Sequence, residues 1–473
     1  MKLIKTINSL PDGVKASTAL FTASVVTSGI SYIVTPIYTR MLSTAEYGQT
    51  SVFMTWQHLF GIIAMFCLSA GVFNNGMIDY PNKRDDYSFS MLILSNLITI
   101  SFSAIVLCIF PIIKEYIHIS FELLMFMCFS FLFTPAYNFW TSKQRYEYKY
   151  KWTFFWSILS AIASPLSAII CIRLFPSNRL YARIVGAQGA LLLIHLVFYF
   201  YLGFKNKFKI NTKYWKKALL FNLPLIPHYL STYLLSSSDR LMISHLINDS
   251  ATGFYSVAYS VASFATIMWS AINSSLIPFT YENCKKGNYK SIAKVTNVLL
   301  TVFAIGCLLI IMLGPEVVAI MATSDYSEAI YVIPPIIGGV FFQVQYFLYA
   351  NVVYYFKKPK YVMVASITAT CVNLVLNYIF IPKYGYIAAG YTTIICYIMQ
   401  AIIDFFAMKN VAKNSIYNMK YIIILSILVI FISLLSNFLY VYRIIRFIIV
   451  GICLIISFVY RNRIVKSIKM IRK

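Results

Sequence analysis

Apolar runs of about twenty residues recur from one end of the chain to the other, separated by short connections rich in Lys, Arg, Tyr and Trp. A run of that length, helical at about 1.5 Å per residue, spans the roughly 30 Å hydrocarbon core of a bilayer. Fourteen such runs are expected as spans: 16–38, 50–73, 88–113, 121–140, 152–175, 181–204, 218–246, 253–279, 292–313, 329–356, 361–381, 386–407, 421–440 and 444–460. The runs are continuous and do not alternate in ten-residue segments, which excludes a membrane barrel. The 473 residues are 60% hydrophobic and only 12% charged, with mean hydropathy +0.73, where a soluble globular chain is about 25% charged. The fold class is therefore an all-α polytopic membrane protein with about 14 transmembrane helices.

The distribution of basic residues supplies an orientation. With the N-terminus inside, 31 of the 40 Lys and Arg fall on the cytoplasmic side. The nine on the other side are Arg40, Lys114, Arg173, Arg179, Arg183, Arg240, Lys383, Arg443 and Arg446. The positive-inside rule then places both termini in the cytoplasm. The N-terminus lacks a short apolar region followed by a small-residue cleavage site, so its first run is expected to remain as a span. The net charge of +25 does not indicate nucleic acid, because the basic residues sit in span-flanking loops and not in a basic domain.

Two internal echoes suggest a duplication. Residues 42–52 align with 247–257, with Gly48 on Gly253, Ser51 on Ser256 and Val52 on Val257. Tyr137, Tyr146, Lys149, Lys151 and Trp152 align at a similar offset with Tyr346, Tyr355, Lys358, Lys360 and Tyr361. Repeated bundles are a common transporter architecture. The expected organisation is a six-helix lobe over 1–204, a basic cytoplasmic linker over 205–217, a second six-helix lobe over 218–407, and two trailing helices with a basic tail over 408–473. If the lobes are related by an axis along the membrane normal, spans one to six superpose on seven to twelve. The linker also reads as an ordinary positive-inside loop touching anionic lipid.

No sizeable external loop exists to carry a catalytic site. The sequence contains no nucleotide-binding P-loop, no dinucleotide-binding GxGxxG after a strand, no HExxH and no GxSxG. Its five His and nine Cys show no ligand spacing. No enzyme activity, cofactor or metal is expected, and the cysteines read as apolar filler. Nine prolines fall in or at the ends of spans, where they permit bending or only shape the packing.

Polar residues inside spans then carry the functional signal. Arg40 precedes the first echo loop, and Asp239 with Arg240 precedes the second. Charge at membrane depth is expensive and usually faces a cavity or a partner helix. The alternative is a mutually satisfied neighbouring pair that sets helix depth. Embedded amides, among them Gln57, Gln188, Asn273, Gln343, Gln345, Asn351, Asn373, Asn377 and Gln400, either recognise sugars by two-sided hydrogen bonding or join helix to helix.

Two lobes, a basic linker, two trailing spans, the Asp239-Arg240-Leu241-Met242-Ile243 run, the Gly253–Tyr259 run and the parallel Glu46-Tyr47-Gly48 together give a pattern similar to one family. The chain resembles the Wzx-type polysaccharide flippases of the MOP superfamily, which includes the lipid II flippase MurJ and the MATE exporters. That resemblance implies a V-shaped bundle with a cationic central cavity. It implies translocation of an undecaprenyl-pyrophosphate-linked oligosaccharide across the bacterial inner membrane, for O-antigen or capsule assembly. Polysaccharide polymerase and chain-length proteins would be its partners, alongside membrane lipids. Carried over residue by residue, Arg40, Asp239 and Arg240 become the substrate-binding cavity candidates. The alternative within the resemblance is a MATE-like ion-coupled exporter of small organic molecules, which for a cation would need acidic cavity residues such as Asp239 or Asp404.

Overall fold

A computed structural model describes residues 12–472, and every regular element among them is helical. The basic residues Lys2, Lys5 and Lys473 and the expected uncleaved N-terminus lie outside the described residues. The chain divides into two compact units, with the boundary after Leu230.

The first unit contains α1 (Asp12–Met41), α2 (Thr44–Ala64), α3 (Gly71–Asp79), α4 (Arg84–Ile117), α5 (Phe121–Tyr146), α6 (Tyr150–Leu174), α7 (Arg179–Lys205) and the short α8 (Trp215–Asn222). The boundary falls inside α9 (Ile226–Leu246). The second unit continues with α10 (Asp249–Lys285), α11 (Tyr289–Met312), α12 (Gly314–Met321), α13 (Ile333–Tyr355), α14 (Pro359–Tyr384), α15 (Ile387–Ala412), α16 (Met419–Leu439) and α17 (Arg443–Arg472).

Twelve helical stretches among the described residues are long and apolar enough to cross a bilayer, and they follow the third to the fourteenth expected spans in order. The first expected span falls on α1, a 30-residue helix. The second does not form one helix. The 21-residue α2 ends at Ala64, and α3 begins only at Gly71. Between them Phe66 and Cys67 adopt left-handed backbone, with φ of 54° and 48°. An apolar run shows only that a segment is lipid-soluble, and it gives no sign of a break whose cost is met from elsewhere. Here the cost is met by Asn222 at the end of α8. Its buried side-chain amide donates to the Phe66 carbonyl at 3.0 Å and the Cys67 carbonyl at 2.9 Å. Freed backbone carbonyls at membrane depth need such a partner. Gly71 permits the approach, since a Cβ there would stand 3.0 Å from the Phe221 ring. Asn222→Leu is expected to destabilise the protein by about 2–4 kcal/mol, the cost of two lost hydrogen bonds and an orphaned Phe66 carbonyl, while the Cys67 carbonyl keeps the Ala70 amide at 3.0 Å. Thermal unfolding in detergent measures it; an unchanged midpoint would show that the break holds without the clamp.

The same contacts place the basic connection. Tyr214 donates to Asp86 at 2.9 Å, Asn211 donates to Asp86 at 3.0 Å, and the Trp215 indole donates to the Ser90 hydroxyl at 3.0 Å. Lys217 pairs with Asp79 at 2.7 Å, and Tyr214 and Ala218 are part of a first-unit core with Phe73, Tyr87 and Phe139. Residues 205–217 are therefore docked on the first unit, and the compact units divide further along the chain than that connection. At the same end of the unit, Lys143 is buried in an ion pair with Asp85 and lies 3.4 Å from Glu147.

Both echoes in the sequence mark helix starts. Ser43 caps α2 by accepting from the Glu46 amide at 3.2 Å, and its aligned partner Asn248 caps α10 by accepting from the Ala251 amide at 2.8 Å. Lys149 and Lys358 each stand at the residue before α6 and α14, after a left-handed residue, Tyr148 or Lys357. Within each unit the helices keep similar neighbours: α6 packs on α7 and α5 on α7, as α14 packs on α15 and α13 on α15.

The second unit is built around α13, whose residues are buried on all faces from Ile333 to Phe342. A helix apolar all round belongs in a core. Gly338 and Gly339 let α15 approach closely: a Cβ at Gly339 would meet Tyr397 at 3.3 Å, and one at Gly338 would meet Ile394 at 3.2 Å. The two trailing helices belong to this unit. Ser433 on α16 donates to the Pro334 carbonyl at 2.5 Å, and Arg446 on α17 forks onto Glu316 at 2.7 and 2.9 Å.

Candidate functional site

Asp239 lies on α9 and is 1% exposed. Its carboxylate accepts from the Asn377 amide of α14 at 2.7 Å, from the Thr393 hydroxyl of α15 at 3.0 Å, and from the Tyr255 hydroxyl of α10. Asn377 also donates to the Asn373 side-chain oxygen at 3.2 Å, and that oxygen takes the Ser238 hydroxyl at 3.4 Å. Thr392 donates to the Asn377 side-chain oxygen, and Asn373 donates to Thr393 at 3.4 Å. Four helices thus converge on one carboxylate. Asn373 and Asn377 share a face of α14 because they are four residues apart.

Arg240, the next residue, points elsewhere. Successive helical residues do not face each other. Its guanidinium lies 4.3 Å over the Tyr259 ring, half-buried, and forms no ion pair with Asp239. The expected neighbour pair is therefore not made: Asp239 is satisfied by neutral donors, and Arg240 rests on an aromatic face.

Arg40 sits in the last turn of α1, exposed, and donates to the Pro36 carbonyl of its own helix at 2.8 Å. A cation there complements the helix C-terminus. The repeat register does not make it the counterpart of Arg240. At the offset that aligns Ser43 with Asn248, Arg40 falls on His245, itself in the last turn of α9. Arg240 lies about one and a half turns deeper. In the second unit Asp239 organises a closed polar cluster and Arg240 stacks beside it on α9; in the first unit Arg40 caps its own helix.

Tyr255, Thr392 and Thr393 complete the cluster, and sequence reasoning did not select them. The available signal was the Asn373–Asn377 spacing. Most of the other embedded amides join helices: Gln188 donates to Gln57 at 3.0 Å, Gln343 to Tyr397 at 3.1 Å, Gln345 to Ser426 at 2.8 Å and Asn351 to Asn273 at 2.9 Å. Their hydrogen-bonding capacity is spent largely within the fold. Among the described residues no group of three or more His, Cys, Asp or Glu forms a metal-binding set. The Asp239 cluster offers one carboxylate among neutral hydroxyl and amide oxygens.

Comparison with known proteins gives the family. The sequence model of the polysaccharide biosynthesis protein family matches residues 14–284, more than half of the chain, and the MatE model matches residues 224–379. A Haemophilus influenzae protein of the Lsg locus is 21% identical over 361 residues, covering 72% of this chain and 85% of the relative. The fold is similar to that of the lipid II flippase MurJ in an inward closed conformation, with TM-score 0.67 and 16% identity over 95% of this chain and 100% of that one. It is also similar to an inward-facing multidrug resistance MATE family transporter of the MOP superfamily, with TM-score 0.62 and 13% identity over 82% of this chain and 94% of that one. With its two helical units, twelve apolar helical stretches among the described residues and the match over 14–284, the chain belongs to the polysaccharide biosynthesis protein family and has the fold of MOP-superfamily transporters.

Proposed function

We propose that this protein is a flippase for an undecaprenyl-pyrophosphate-linked oligosaccharide, moving the repeat unit of an O-antigen or capsular polysaccharide from the cytoplasmic to the outer leaflet of a bacterial inner membrane. The observation that carries the reading is Arg240: a permanently charged guanidinium in a membrane-spanning helix, held on Tyr259 with no salt bridge to an acid among the described residues. Such a group is costly to keep in a span unless an anion uses it. A pyrophosphate is the charged part of a lipid-linked sugar, and guanidinium forks onto phosphate with two hydrogen bonds. Arg40 is proposed as a further substrate-binding cation, and Asp239 is proposed to fix α9, and with it Arg240, against α10, α14 and α15. Polysaccharide polymerase and chain-length proteins are the proposed partners.

An exporter of small organic cations would need an open carboxylate. Both oxygens of Asp239 are taken by donors, which disfavours that use. Asp404 on α15 is the acid such an exporter would have to use, since it is buried with neither oxygen hydrogen-bonded.

Expression in a strain lacking its own flippase tests the function. Recovery of surface polysaccharide is expected; efflux of an organic cation dye without that recovery would favour the exporter. The proposed topology has both termini in the cytoplasm, from the basic-residue asymmetry. A reporter fused after the last residue is expected to read as cytoplasmic, and a periplasmic signal would remove this orientation.

A further inference from the structure

Arg183 lies near the start of α7 and is 8% exposed. Its guanidinium lies 3.7 Å over the ring of Tyr38 on α1. The Nε is sealed from solvent and has no acceptor, and no carboxylate pairs with the group among the described residues. Two other buried cations differ from it. Lys143 has Asp85 and Glu147, and Arg446 has Glu316 and the Met312 carbonyl. A face-on tyrosine returns only part of what it costs to bury a cation. The ring takes one face of the planar group, and the buried Nε is left as a donor without an acceptor.

The surroundings strengthen the positive charge. Arg179, one turn earlier on α7, donates to the Met41 carbonyl at 3.2 Å and so ties the start of α7 to the end of α1. Arg40 occupies the last turn of α1. Glu46, the acid nearest in sequence to the end of α1, is engaged in the capping box of α2, where its carboxylate takes the Ser43 amide at 2.8 Å. The amides at the start of α7 add partial positive charge. From Arg183, α7 runs about 33 Å to Lys205, so this cluster stands at the opposite end of the unit from the Lys205, Asp85 and Lys143 group.

We propose that Arg183, with Arg179 one turn before it, is an oxyanion-binding site at the outer end of the first unit, which takes a phosphate or a sugar carboxylate of the exported glycolipid. It is separate from Arg240, which belongs to the second unit, and assigns Arg183 a substrate contact of its own. The inference rests on the flippase reading for the identity of its ligand and on the topology for the word outer.

The test uses the purified full chain in detergent, in an Arg240→Ala background so that the other cation does not mask the result. Thermal stabilisation is titrated with undecaprenyl pyrophosphate, with neutral undecaprenol as control, and separately with glucuronate. The Arg183-intact protein is expected to be stabilised by one of the two anions. Arg183→Gln is expected to weaken that response at least tenfold and Arg183→Lys to weaken it less, since Lys keeps the charge and loses the fork. A response to the pyrophosphate lipid identifies the carrier phosphate, and one to glucuronate alone identifies an acidic sugar. Equal responses with and without Arg183, or no response to either anion, would overturn the site. Should Arg183→Gln not accumulate, Arg183→Lys at matched abundance decides, with unchanged binding counting against the proposal. Failure of the wild-type chain to restore polysaccharide while Arg183-dependent binding persists would sink the flippase reading and leave the site. Restored polysaccharide with Arg183-independent binding would do the reverse.

Discussion

Arg240→Ala is expected to abolish surface polysaccharide while the protein still reaches the membrane at normal abundance. The separation of function from folding follows from the geometry. Asp239 is held by hydrogen bonds from Tyr255, Asn377 and Thr393 and makes none to its neighbour, so removing Arg240 leaves all three in place. What is lost is a cation stacked on Tyr259. A charge-assisted hydrogen bond contributes about 1.5–3 kcal/mol. Two of them to one phosphate then correspond to a loss of about a hundredfold or more, at about 1.4 kcal/mol per factor of ten. Arg240→Lys is expected to retain part of the activity, because a point charge remains without the fork. Arg40→Ala is expected to be milder, since Arg40 is exposed at a helix end and bonded to its own backbone. Export is scored by surface polysaccharide in a flippase-null strain, with abundance followed by immunoblot. The double change Asp239→Asn with Arg240→Gln removes both charges and keeps polar groups. Wild-type export by that variant would show that the phosphate role is wrong.

Asp239→Ala is expected to act in the opposite way, as a stability defect. The substitution leaves the Asn377 amide, the Thr393 hydroxyl and the Tyr255 hydroxyl buried without their acceptor. Each such orphan costs about 1–3 kcal/mol, so a loss of about 3 kcal/mol or more is expected. Asp239→Asn keeps one acceptor oxygen and turns an amide nitrogen toward donors that cannot use it, so an intermediate loss is expected. Thermal unfolding of purified protein measures both, and a wild-type midpoint for Asp239→Ala would refute the role given to this cluster. Arg240→Ala is expected to leave the unfolding midpoint near that of the wild type, so the two neighbouring residues separate cleanly by assay.

The chain's membrane character, its helical class and the approximate position of most spans were legible in the sequence, because hydrocarbon leaves few solutions to a polypeptide. Backbone polar groups must be satisfied within the segment, and a span must match the thickness of the bilayer. The echo of 42–52 in 247–257 was legible as well, and the structure shows it as two matching helix caps at Ser43 and Asn248, which depend on residues adjacent in the chain. The tertiary structure decided the rest, and in each case the cause is a partner distant in sequence. The second expected span breaks at residues 65–70 because Asn222, far along the chain, receives the freed carbonyls. The basic connection 205–217 docks on the first unit because Asp79, Asp86 and Ser90 wait there for its side chains. Asp239 and Arg240 are adjacent in sequence, and a helix sends neighbours in different directions. Only the packing of α9 against α10, α14 and α15 determines that one becomes the centre of a closed polar cluster and the other remains a cation with no anion of its own.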